Sequence, residues 1–443
     1  MDAVDWLLAP VYLLFFYLIG ANFVSKSGNN PLHRTYFLKG LTYKFIGVVF
    51  FDIIYLYYYG GGDSINFYYA MSTLFDLFLN YPNSFFEFVF SNTHIFPVEC
   101  IPDAIQRGVI YLLRGSASLT TIRIGGVLNL FALNKFIPLS IIFAYLSYTF
   151  QWKVFQLLCS IYPSLHKQFS YAFLLLPSVV FWGSGVGKDS IMISCIFQVF
   201  YSFYHAFILR KSVAANIVYL LTACYFMSAI RGFILYATIP CLILMAVVYY
   251  RSAIQNSVIR IFIGPFFLVG GIAASVFFVQ SLGQTVESYS MESLEQKAEG
   301  FRSWHTSQGG ATYSLGEDMD FTPAGILRQT PMSLAITLFG PFVWQIRNPV
   351  MLMSGIESLI FLYLFVTKVF FHKRAYKMIS VVWKDHIVVF CVPFIIILGV
   401  AIGLTSFNFG ALVRYRIPIL PFMVSLFIIL NHHFNTSAAP GKK

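Results

Sequence analysis

Runs of about twenty apolar residues recur along this chain, as in HIVVFCVPFIIILGVAIGLTSF starting at His386, and such a run matches the thickness of a bilayer's hydrocarbon core. They are too many to be the buried helices of one soluble domain. Composition agrees: 58% of the 443 residues are hydrophobic and 11% charged, where soluble domains hold roughly 45–50% and 25%. Mean hydropathy is +0.73. The expected fold is therefore all-α, a polytopic transmembrane helix bundle forming a single transmembrane domain over residues 1–443.

A formal net charge of +11 raises the question of nucleic acid. The lysines and arginines, however, fall in short clusters between apolar runs rather than along one amphipathic face, so they read as topology signals, with the lipid bilayer as partner and no nucleic acid. The opening MDAVDWLLAP carries two acids and no basic residue, unlike a cleavable signal peptide, and is expected to be a retained span. Six cysteines, at 100, 159, 195, 224, 241 and 391, show no CxxC or Cys/His ligand spacing. Neither a disulfide framework nor a zinc site is expected.

Positive residues collect on the cytoplasmic side of short loops. FFHKRAYK with Lys384, Arg210 with Lys211, Arg251 with Arg260, Lys153 with His166 and Lys167, and Lys26 with Arg34 and Lys39 mark that side. Expected spans are 5–24, 41–59, 130–150, 169–186, 189–209, 214–230, 233–250, 260–281, 350–371, 386–406 and 417–432, about eleven helices with the N-terminus outside and the C-terminus cytoplasmic. Segment 151–168 is expected to be a cytoplasmic interfacial helix. Two long outer segments remain: 60–129, broken by Pro82, Pro97 and Pro102 into interfacial helices, and 282–349, an acidic loop with an amphipathic return.

Once sides are assigned, four polar motifs converge on the outer face: GGGDSINFY (60–68), PSVVFWGSGVGKDS (177–190), AIRGF (229–233) and NFGALVRYRIPILP (408–421). Arg231, Arg414 and Arg416 then stand outside against the positive-inside bias, and an anionic ligand is a reason for cations to be there. Three glycines let the backbone leave a helix freely and present Asp63 at the membrane boundary, a position suited to a catalytic base. The plain structural alternative is a helix end followed by an N-cap, since Asp-Ser opens many helices.

Lys188 and Asp189 follow GSGVG, which lacks the order of a phosphate loop because Asp189 stands where Ser or Thr is needed and no strand precedes it. A nucleotide-binding reading is excluded. Lys188 is a candidate phosphate ligand and Asp189 a second acid; alternatively the pair caps a tight helical hairpin. Arg414 and Arg416 flank Tyr415 ahead of Pro418 and Pro421, and guanidinium forks bind phosphate oxygens bidentately. Snorkelling to lipid headgroups is the competing reading.

Weaker candidates for an acceptor contact or second acid are Glu99 and Asp103 in VECIPDAIQR, and Arg302 and His305 in FRSWHTSQGG. Pairing of Asp103 with Arg107 at i,i+4 explains two of these charges cheaply. Lys44 and Asp52, inside the second span, are expected to pair with other buried groups, and Trp182 to join the interfacial aromatic belt.

An aspartate in the first large outer loop, short spans carrying Lys-Asp, a long late outer loop and R-Y-R-x-P-x-x-P together resemble the membrane-embedded glycosyltransferases of the C superfamily fold, in the branch of bacterial protein mannosyltransferases and lipid A aminoarabinose transferases. The resemblance implies transfer of a sugar from a polyprenyl-phosphate carrier to a glycan, lipid or protein acceptor at the outer face of the bacterial inner membrane. It implies Asp63 as base or acceptor-orienting group, with Arg414 and Arg416 near the carrier phosphate. The chain differs from that family in an extra first span and in lacking a paired acidic motif, so no divalent metal or other cofactor is implied. Competing readings are a polysaccharide polymerase or ligase of O-antigen type, in which Arg302 and His305 would matter more than Asp63, a transporter or flippase for an anionic lipid-linked glycan, and a non-catalytic assembly subunit.

Overall fold

Apolar runs become helices, but Gly, Pro and buried charges decide where each run breaks. The structure, a computed structural model, describes residues 3–28, 30–91, 95–251, 323–406 and 408–436. These residues are overwhelmingly helical, with no β-strand among them. Five helices are long and apolar enough to cross a membrane: Ala3–Lys26, Lys188–Ile208, Val213–Tyr250, Pro349–Phe370 and His386–Thr405. The number reaches seven if two bent pairs, Ala117–Phe131 with Phe136–Ile161 (110°) and Phe409–Tyr415 with Leu420–Thr436 (63°), each count as one span.

The chain divides into two units, one of Met1–Ser202 with Ala214–Gly232, the other of Phe203–Val213 with Phe233–Lys443. In the first unit, α1 (Ala3–Lys26) has an acid in its first turn and a lysine in its last, both favourable to the helix dipole. It leaves Leu7, Val11, Leu14, Phe15 and Leu18 exposed, as a lipid-facing helix does. Next come α2 (Leu38–Ile53), which passes into a π turn at Ile54–Tyr58, and α3 (Asp63–Asn80), α4 (Pro82–Phe90), α5 (Ile101–Gln106) and α6 (Ser116–Phe131). Pro82 and Pro102 stand in the first turns of α4 and α5, while α3 and α6, of 18 and 16 residues, are longer than the short helices expected over 60–129.

The helix α7 (Phe136–Ile161) packs on α1 and α2. Its 26 residues run without interruption, about 39 Å at ~1.5 Å per residue. This corrects the expected division into a span at 130–150 and an interfacial helix from 151: buried Gln151, Trp152, Val154, Phe155 and Leu158 keep the second half in the packed unit. The expected span 169–186 is instead two short helices, α8 (His166–Phe173) and α9 (Pro177–Trp182). Pro177 explains the break, since a proline opens a helix and pushes the residue before it out of the α region.

α2 reaches α9 very closely. A Cβ on Gly47 would stand 2.3 Å from Val180 Cγ1 and 2.9 Å from its carbonyl oxygen, so only glycine fits. Beside it, buried Lys44 donates to the carbonyls of Gly183 (2.8 Å) and Val179 (3.4 Å), at the C-terminus of α9. Trp182 is likewise buried, against Phe51 and Phe181, which corrects its expected place in an interfacial belt. The two basic segments expected on one side do meet: Tyr36 Oη lies 2.7 Å from His166 Nδ1, and Gln156 hydrogen-bonds to His33.

α10 (Lys188–Phe203) and α11 (Val213–Tyr250) follow. Two spans were expected over 214–250 with a turn between them. Within α11 two helices do meet there, at a kink where the backbone leaves helical geometry at Arg231 (φ −147°, ψ 76°).

The second unit is built on α12 (Pro323–Phe339), α13 (Pro349–Leu364), α14 (Met378–Val382), α15 (His386–Thr405), α16 (Phe409–Tyr415) and α17 (Leu420–Thr436). Gly403 lets α15 approach the Ser333 backbone of α12, and Asp385 caps α15 by accepting from the Ile387 and Val388 amides at 3.0 and 3.3 Å. The expected span 260–281 and most of the 282–349 segment lie outside the described residues.

Candidate active site

The glycine run sits between the π turn of α2 and the start of α3. Gly60 (φ 61°) takes a left-handed conformation that favours glycine, and Gly62 (φ 108°, ψ −176°) one open essentially to glycine alone. The chain turns there, and Asp63 becomes the first residue of α3, exposed, where the helix dipole favours a carboxylate. Presentation of a carboxylate and helix opening are therefore one structural fact. One turn along, Asn66 Nδ2 donates to Tyr111 Oη at 2.8 Å. Burial raises the Tyr111 phenol above its ordinary pKa; the Asn66 bond opposes the rise and the Asp63 charge adds to it.

Lys188 opens α10 next to this turn. Its Nζ donates to Ser118 Oγ at 3.2 Å and lies 5.6 Å from the centroid of the Phe67 ring, and Phe67 is one helical turn from Asp63. Asp189 pairs with Arg231 at 2.7 Å, the two side chains only 9% and 10% exposed. Three of the four motifs expected on the outer face are thereby gathered within the first unit. They do not act as separate charges: the Arg231 guanidinium, expected to hold an anionic ligand, is engaged by Asp189.

The fourth motif belongs to the second unit. Arg416 is completely buried. Its Nη1 donates to the carbonyls of Thr337 (3.2 Å) and Gly340, at the end of α12, and its Nη2 to Ser358 Oγ (2.8 Å) on α13. Buried Glu357 supplies an opposing charge. This corrects the expected exposed phosphate ligand: in this structure the guanidinium is spent on carbonyls that the end of α12 leaves without helical partners. Arg414, two residues earlier on α16, remains half-buried rather than enclosed.

Of the weaker candidates, Glu99 is exposed and accepts from Ser84 Oγ at 3.2 Å. Asp103 pairs with Arg107 at 2.9 Å, as i,i+4 spacing suggests. The same guanidinium also reaches Ser72 Oγ (2.6 Å) and Asp76 Oδ2 (2.8 Å) on α3. Asp76 was not singled out in the sequence. Burial raises its carboxyl above the usual range, Arg107 opposing and Asp103 reinforcing the rise. Arg302 and His305 lie outside the described residues. Among the described residues, no group of three or more His, Cys, Asp or Glu is arranged to hold a metal ion.

No protein family, characterised protein or solved structure matches the chain. Function has to be argued from these residues themselves.

Proposed function

We propose that this chain is a membrane glycosyltransferase that moves a sugar from a polyprenyl-phosphate carrier to an acceptor hydroxyl, with Asp63 as the base. The observation that carries the reading is the glycine-built turn: an exposed carboxylate at the start of α3 stands one turn from Phe67, the ring beneath the Lys188 ammonium. A carboxylate and a cation on adjacent elements meet the two needs of the reaction. The acceptor oxygen forms its bond to the anomeric carbon as the bond from that carbon to the phosphate oxygen breaks. The hydroxyl proton goes to Asp63, and the polyprenyl phosphate leaves as an anion.

Lys188 is the cation assigned to that leaving phosphate, Arg416 acting instead as a packing group. In this reading the chain crosses a bacterial inner membrane several times, with the basic segments around His33 and His166 in the cytoplasm and Asp63 on the outer side. The N-terminus is then outside and the C-terminus inside.

The test is transfer from radiolabelled polyprenyl-phosphate sugars by the full chain in lipid. Asp63→Asn is expected to lower turnover ~100-fold or more with an unchanged thermal melt. Equal turnover in that variant would remove Asp63 from the chemistry, and absence of turnover by the wild type with every donor would overturn the transferase reading.

A further inference from the structure

Two clefts in the first unit share Tyr69 in their linings and are not used by the chemistry above; together they form one candidate region with a polar and an aromatic part. Its polar part, of ≈ 360 Å³, is lined by two acids, Asp5 and Asp76, two cations, Arg107 and Lys135, and neutral groups including Tyr69 and Asn134. Its aromatic part, of ≈ 390 Å³, is lined by Trp6, Tyr57, Gly60 and again Tyr69. Tyr69 lines both parts, and Gly60 places the aromatic part at the turn that presents Asp63.

The polar part is pre-organised. Asp5, 2% exposed, accepts from the Phe136 and Ile137 amides at 2.7 and 3.4 Å and so fixes the start of α7 to α1. Tyr68 Oη donates to the Asn134 carbonyl at 2.8 Å, which ties α3 to the same place. Arg107 holds Asp76 through Oδ2 only, and the Asp76 side chain is 42% exposed, so Oδ1 remains an acceptor. Asn134 uses its side-chain oxygen to accept from Asn129 at 2.9 Å, leaving its amide N–H groups as donors.

Formal charge selects the ligand class. Two acids against two cations give a neutral lining, which favours neither a phosphate nor a metal cation. Paired donors and acceptors beside aromatic faces suit a molecule with hydroxyls around a ring and an apolar C–H face. Trp6 and Tyr57 form such a face: their rings stack at 6.3 Å and 19°, and Trp6 Nε1 donates to Tyr57 Oη at 2.8 Å.

We propose that this cleft binds a neutral sugar unit, the one that carries the accepting hydroxyl. The acceptor role rests on the transferase reading; the binding does not.

The experiment is saccharide titration of the full chain in nanodiscs, read by tryptophan fluorescence and saturation-transfer NMR. The panel is neutral methyl hexosides and disaccharides set against hexose phosphates. Neutral saccharides are expected to change the fluorescence, with the change lost in Trp6→Phe and the affinity lowered roughly tenfold in Asp76→Asn and Tyr69→Leu proteins that melt as wild type does. No binding by any neutral saccharide, or tighter binding of the phosphates, would overturn the proposal. Transfer assays separate the two readings. Asp63-dependent transfer with acceptor KM unchanged in Asp76→Asn and Tyr69→Leu would sink the cleft and leave the transferase. Saccharide binding mapped to Trp6 without transfer from any donor would leave the cleft and sink the transferase.

Discussion

Asp189 and Arg231 are joined at 2.7 Å with both side chains nearly enclosed, and the contact links the first turn of α10 to the one non-helical residue of α11. Arg231, expected on the outer side of a membrane helix bundle, looks from sequence like an anion ligand. Here it has an internal counter-charge. Breaking an enclosed pair from one side leaves the other charge uncompensated, so Asp189→Asn is expected to cost about 3–5 kcal/mol. Asp189→Leu combined with Arg231→Met should recover most of that loss. Thermal unfolding in nanodiscs of the two single variants and the double variant provides the check; additive losses would show that the pair is not the source.

Arg416 and Arg414 should differ in what their substitution does to stability. Removing the buried Arg416 guanidinium takes the donor from the Thr337 carbonyl and the opposing charge from buried Glu357, while the Gly340 carbonyl keeps its bond from Ser358 Oγ; an unsatisfied buried polar group costs ~1–3 kcal/mol. Arg416→Met is therefore expected to lower folded yield and melting temperature severely. Arg414→Gln, at a half-buried position on α16, should melt near the wild type. Melting curves distinguish the two, and an Arg416→Met protein with normal stability would contradict the clamp.

These contrasts show what could be read from the chain. The helix over Ala3–Lys26 and the one over His386–Thr405 were legible because an uninterrupted apolar run has a single low-energy state in lipid. The turn at Asp63 was legible because glycine runs have local meaning. The carbonyls that receive Lys44 lie 135 and 139 residues away, and those that receive Arg416 lie 79 and 76 residues away. Nothing near either residue in sequence announces those partners. R-Y-R-x-P-x-x-P looks like a surface motif until α12 is seen to end against it. Asp76, set among FDLF, has the spacing of an ordinary helix face, and its role appears only when Arg107 reaches across to it.

Stability should fall on mild acidification through His33. Its ring is buried, stacked at 5.0 Å on Phe23 and edge-on to Trp152 at 5.5 Å, and burial lowers its pKa below the usual histidine value. The fold favours the neutral ring. As pH falls from about 6.5 towards the depressed folded value, the unfolded chain takes up a proton that the fold refuses, so stability is lost across that window and levels off below it. His33→Gln should remove this part of the pH slope. Melting temperatures of both proteins between pH 8 and pH 5 provide the comparison, and parallel slopes would rule His33 out.

The glycine run offers the sharpest test of how backbone geometry presents Asp63, because its members are not equivalent. Gly62 stands at φ 108° and ψ −176°, and a Cβ there would meet Tyr55 Cε1 at 3.2 Å. That backbone region is essentially glycine-only, and forcing another residue into it costs ~1–3 kcal/mol. Gly61 has no positive φ and open space where a Cβ would go. Gly61→Ala is therefore expected to leave melting temperature and turnover near wild type, while Gly62→Ala lowers both, because relief of the strain must rotate the first turn of α3 and carry Asp63 with it. If Gly62→Ala reduced stability alone and turnover survived, the position of Asp63 would not depend on this turn. Equal tolerance of both substitutions would mean that the chain does not hold this conformation in the membrane.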